Sequence, residues 1–240
     1  MVRTTSWYGG LFAAILSVAS TQASALTWTV ESDQGGMLTT GGTSLHHWAE
    51  STSDFSLALN AVAGEPNSSL SIHLGLMNTL AVTQTFTVTS TIPIKALSSP
   101  VDLAGSMGVT ITDSSDPLDS AMLGIAGQDP FFQGLIDGVP IASATIFANP
   151  YFLSCTSGAL LACTVADSGS FGPLVAAKNA MTSIGIRHTF TLTPGDSIGI
   201  SSSLVVAGSP APSINLPEPS MATLLASGLG ILAMLGRQRR

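Results

Sequence analysis

Apolar and polar residues alternate along the middle of this chain, and the alternation predicts strands. From Val82 to Ile94 one parity holds Val82, Phe86, Val88, Ile92 and Ile94, and the other holds Thr83, Thr85, Thr87, Thr89 and Thr91. Successive side chains of a strand point to opposite faces, so this pattern predicts a half-buried strand with its threonines outward. Pro93 lacks an N–H, which predicts an edge or a bulge at that end. Leu70, Ile72, Leu74 and Leu76 alternate in the same way, and Asn78-Thr79 marks the turn between the two runs. Met107, Val109 and Ile111 predict a further strand, with Thr110 and Thr112 outward. Ile186, His188, Phe190 and Leu192 predict another, which Pro194-Gly195 turns into a return strand through Ile198, Ile200, Leu204 and Val206. Asp137-Gly138, between Leu135-Ile136 and Val139, reads as a tight hairpin. One short helix is expected between Pro173 and Ile184. Gly169-Ser170-Phe171-Gly172 reads as a loop. The β punctuation implies an all-β antiparallel sandwich or jelly roll.

The two extremities follow a different pattern. Arg3, the apolar run Leu11 to Val18 and Ala23-Ser24-Ala25 make a secretory signal, with Ala23 and Ala25 flanking the cleavage site and Leu26 opening the mature chain. At the other end, Pro217-Glu218-Pro219 precedes an apolar run from Met221 to Leu235 and then Arg237-Gln238-Arg239-Arg240. A helix of roughly 15 residues covers about 22 Å at about 1.5 Å per residue. About 20 residues normally span a bilayer, so this run can cross one only with local thinning or snorkelling arginines. Arg237, Arg239 and Arg240 act as the stop-transfer cluster and stay on the cytoplasmic side.

The order of these parts resembles the PEP-CTERM sorting signal: a Pro-Glu-Pro motif, a short transmembrane helix and a basic cluster. The resemblance covers the last 25 residues or so. It implies that the inner membrane holds the tail transiently and that an exosortase cuts near Pro217, Glu218 and Pro219, after signal peptidase has acted at the other end. It also implies a bacterium that makes extracellular polysaccharide. The chain then divides into a signal peptide (1–25), a β-sandwich ectodomain (26–206), a Pro/Ser linker (207–216) and a sorting segment (217–240).

Composition narrows the partners. Outside the signal and the tail, the basic residues are Lys95, Lys178 and Arg187, while all 14 acidic residues lie between Glu31 and Glu218. The chain up to Glu218, without its signal, carries a formal charge of −11. Such a surface repels phosphate backbones, which argues against nucleic acid as a partner. Cys155 and Cys163 are the two cysteines, and an exported chain meets an oxidising compartment. A local disulfide is the expectation, with a metal or redox site as the alternative.

Candidate chemistry is sparse. Asp113, Asp116 and Asp119 form a D-x-x-D-x-x-D loop that could offer oxygens to calcium, with Asp129 or Asp137 completing the set. Against that stands a solvated turn, because Asp is common in turns. His46-His47 could bind one metal together in a loop but not on a strand, where neighbours point to opposite faces, and Trp48 beside them could line a pocket; a polar loop next to an aromatic core residue accounts for the same residues. His73 falls on the polar parity of its strand, and His188 is expected to be half-buried. No G-x-S-x-G elbow is present, and no spacing singles out a carboxylate pair for glycoside hydrolysis. The expectation is a non-enzymatic surface or matrix protein without a cofactor. A module that binds extracellular polysaccharide or calcium is the alternative, with Trp28 and Trp48 as aromatic candidates. An exported hydrolase comes third.

Overall fold

The computed structural model describes residues 26–208, apart from 43–44, 65–67, 98–99, 114–119, 126, 157–162, 177–181. Two antiparallel sheets pack face to face as a β-sandwich. Fourteen strands are seen among the described residues: β1 (Leu26–Ser32), β2 (Met37–Gly42), β3 (Leu45–Ser51), β4 (Phe55–Gly64), β5 (Ser69–Asn78), β6 (Gln84–Pro93), β7 (Val101–Thr112), β8 (Ser120–Gly124), β9 (Phe132–Ile136), β10 (Val139–Ile146), β11 (Phe152–Thr156), β12 (Thr164–Ala176), β13 (Ser183–Leu192) and β14 (Ser197–Ala207). The first sheet runs β10-β9-β13-β6-β1-β2, with β8 and β11 extending it beside β13. The second runs β12-β7-β14-β5-β4-β3.

The alternation seen in the sequence becomes the two faces of each sheet. Phe86, Val88 and Ile92 of β6 point inward, as do Ile72, Leu74 and Leu76 of β5 and Ile198, Ile200, Leu204 and Val206 of β14. Sequestering each such side chain contributes roughly 1.5–3 kcal/mol relative to exposure. Leu26, Trp28 and Val30 of β1 share the inward parity, and Trp28 is 1% exposed. Trp28 is therefore a core residue and not part of an exposed aromatic platform. Trp48 is half-buried against the same core. The hairpin at Asp137-Gly138 joins β9 to β10, and both residues have positive φ (51° and 72°), the pairing that a type I′ turn demands. Gly195 takes φ 71° in the turn between β13 and β14, where the left-handed conformation suits glycine.

Four expectations are corrected. Pro173 does not open a helix: it lies within β12, and Leu174, Val175 and Ala176 pair with Leu103, Asp102 and Val101 of β7. Ser183 and Ile184 already belong to β13, and residues 177–181 between them lie outside the described set. The long ladder to β7 overrides a weak local helix preference. Gly169 to Gly172 are likewise part of β12 rather than a loop. His46 and His47 sit in β3, a strand paired along its length with β4. Val82, expected at the start of a strand, precedes β6 and is 49% exposed.

Candidate functional site

Asp113 follows directly on β7 and is buried, with its N–H donating to Cys163 O at 3.1 Å. Asp116 and Asp119 lie outside the described residues. The two carboxylates proposed to complete a calcium set are engaged elsewhere. Asp137 Oδ1 accepts from Thr182 N–H (2.8 Å), Thr182 Oγ1 (2.9 Å) and Ser183 N–H (3.0 Å), and Asp129 stands 4.0 Å from the Arg187 guanidinium. Among the described residues no group of three or more His, Cys, Asp or Glu side chains is gathered as a metal would require. Ala23, Ala25, Pro217, Glu218, Pro219, Arg237, Arg239 and Arg240 also lie outside the described residues.

Cys155 and Cys163 stand at disulfide distance, with their Cα atoms 5.9 Å apart. Cys155 belongs to β11 and Cys163 directly precedes β12. The pair therefore ties the margin of one sheet to the edge of the other.

His188 is buried completely, deeper than its parity alone suggested. The rings of Phe131 and Phe132 meet it edge-on at 6.2 and 5.6 Å, and Phe190 stacks on Phe131 at 5.3 Å. Neither ring nitrogen has a hydrogen-bond partner among the described residues. Burial holds its pKa down at about 3, so the imidazole is neutral in the fold. A nearby aromatic set closes the flank beside β12. Phe147 stacks on Tyr151 at 4.2 Å, and Tyr151 Oη donates to Asp167 Oδ2 at 3.2 Å. Burial first, then the Asp167 charge and hydrogen bond, raises the Tyr151 pKa. Of these rings, sequence reasoning found His188 and Phe190 but missed Phe131, Phe147 and Tyr151, which are brought together by the segments before β9 and between β10 and β11 rather than by spacing.

The outer face of the second sheet carries a shallow trough of about 590 Å³. Ala58, Gly75 and Gly199 stand side by side across β4, β5 and β14 and form its floor. The next row is Asn60, His73 and Ser201, opposite one another in register, so an amide, an imidazole and a hydroxyl line one wall. Thr110 and Asp167 approach the far end. His73 is exposed, as its parity implied. Although His73 faces Ser201 across the ladder, no hydrogen bond joins them among the described residues. The arrangement can offer several hydrogen-bonding groups to a flat polar ligand. The glycines were visible in the sequence, but their alignment across three strands depends on pairings far apart in the chain. No family model matches this chain, and no curated protein matches it.

Proposed function

We propose that this chain is an exported protein of the bacterial cell surface or extracellular matrix, delivered by its C-terminal segment. Signal peptidase removes residues 1–25, the membrane holds the apolar tail, and an exosortase cuts near Pro217-Glu218-Pro219. The observation that carries this reading is the Cys155–Cys163 pair, because structural disulfides persist in oxidising compartments outside the cytosol. The low charged fraction of 9%, with Ser, Thr and Gly supplying the polarity, agrees with it.

The test is mass spectrometry of the protein recovered from the cell surface. The expected chain begins at Leu26 and lacks the residues beyond the Pro-Glu-Pro motif. A cytosolic chain that retains both Met1 and Arg240 overturns the reading.

A second reading is favoured by the trough on the outer sheet face. Its wall of Asn60, His73 and Ser201 suits a neutral extracellular polysaccharide, and its glycine floor leaves room for a sugar ring. A Cβ on Gly75 would meet nothing closer than 3.9 Å, so a Gly75→Phe side chain fills the trough. That variant loses retention on an immobilised neutral polysaccharide if the reading holds, and equal retention by both proteins removes it.

A further inference from the structure

Strand β2 ends the first sheet, and its pairing with β1 fixes which of its backbone groups are used. Ser32 N–H donates to Gly36 O at 2.7 Å, in phase with the register Val30↔Leu38 and Trp28↔Thr40. On the other side of β1, Asp33 N–H donates to Thr85 O at 3.0 Å. Antiparallel ladders alternate, so Leu38 and Thr40 turn their N–H and C=O groups to β1. Met37, Thr39 and Gly41 turn theirs to the open edge.

A row of unpaired backbone groups is a template for another strand, and proteins ordinarily blunt it with charge, proline or a bulge. The other long edges here are blunted in that way. Strand β12 carries Asp167, Pro173 and a register break between Phe171 and Leu174. Strand β10 carries Pro140 and a break between Pro140 and Thr145. Strand β3 contains Glu50 and two histidines. Strand β2, Met-Leu-Thr-Thr-Gly-Gly, has no charge and no proline, and its register with β1 is unbroken over six pairs.

We propose that β2 pairs with β2 of a second copy of this chain, joining the two first sheets edge to edge across a two-fold axis. Such an axis stands perpendicular to the sheet and keeps outer faces outward, so an outward residue must meet an outward residue. Placing Thr39 against Thr39 puts Met37 against Gly41 and Gly41 against Met37. This register uses every backbone group left at the edge between Met37 and Gly41, each opposed pair exchanging two hydrogen bonds. It is also complementary in size. Met37, 62% exposed in the single chain, extends over a residue without a side chain, and the central Thr–Thr pair is a favourable cross-strand neighbour. The body of the chain is strongly acidic, and an uncharged strand lets two copies meet without opposing carboxylates on the paired strands.

Sedimentation of the full chain in mild detergent, from micromolar to near-millimolar concentration, tests this. Thr39 is exposed, so charge there leaves the fold intact, as circular dichroism checks. The wild type forms a reversible dimer. Thr39→Lys and Thr39→Glu are each monomeric because like charges face across the axis, and their equimolar mixture dimerises again. Thr39→Cys forms an interchain disulfide on oxidation, since opposed Cα atoms of about 5.5 Å lie in the bridging range. A monomeric wild type, association insensitive to Thr39→Lys, a mixture that stays monomeric, or folded Thr39→Cys that does not cross-link would each overturn the proposal.

Discussion

Gln84 donates from Nε2 to Oδ1 of Asn78, and both side chains are fully buried at one end of the sandwich. The Asn78 amide in turn donates to Val82 O (2.8 Å), Leu192 O (3.0 Å) and Thr193 O (3.2 Å), while its own N–H donates to Asp196 O and its carbonyl accepts from Gly195 N–H. One side chain thus fastens the crossover from β5 to β6 against the turn between β13 and β14. Asn78→Asp keeps the shape and replaces donors with an acceptor that faces carbonyls. Each buried polar group left unsatisfied costs about 1–3 kcal/mol, so a loss of roughly 3 kcal/mol or more is expected. Urea titration measures it, and a midpoint unchanged from wild type counts against this role.

His188 makes the fold sensitive to acid. Its folded pKa of about 3 lies below the ordinary 6.5, so the unfolded chain binds the proton more readily. Its neutral form is fully compatible with folding above pH 6.5, and stability falls as pH drops from there toward 3. At pH 5 the expected loss is about 2 kcal/mol. His188→Leu removes this slope between pH 6.5 and 5, which thermal melts across that window would show.

Reducing the Cys155–Cys163 pair releases a short loop. For a sequence separation of 8, loop-closure entropy gives about 2.5 kcal/mol of stabilisation. Dithiothreitol should lower the urea midpoint of the wild type accordingly. It should leave a Cys155→Ser, Cys163→Ser double variant where it was.

Asp137 holds two jobs at one position. It tolerates φ 51° in the hairpin, and its carboxylate gathers Thr182 and Ser183 at the start of β13. Asp137→Ala loses both and should cost about 2 kcal/mol. Asp137→Asn keeps an acceptor oxygen and the left-handed preference, so it should retain most of the stability. Equal melting of the two variants would contradict the assignment.

The strands that could be read from the sequence are those with one face in the core. Phe86 and Val88 alternate with threonines because β6 lies between β1 and β13, and β5 and β14 show the same contrast. The same signal was present at Leu26, Trp28 and Val30, opposite Thr27, Thr29 and Glu31, and it would have placed Trp28 inside. Strand β12 could not be read in this way. It is an edge strand with exposed residues of both parities, and its place is set by β7 rather than by its own periodicity. The trough is less legible still, since Ala58, Gly75 and Gly199 become neighbours only through β4, β5 and β14. Asn78 could be recognised as a turn residue, but its partners at Leu192 and Thr193 lie 114 and 115 residues away.

Strand β14 has consequences under mechanical load. It ends at Ala207 with β5 along one side and β7 along the other, bonded to both over nearly its whole length. A pull transmitted through Ala207 cannot peel an edge away; it must shear two ladders together. The last of the fourteen strands is therefore the one whose extraction dismantles the centre of its sheet.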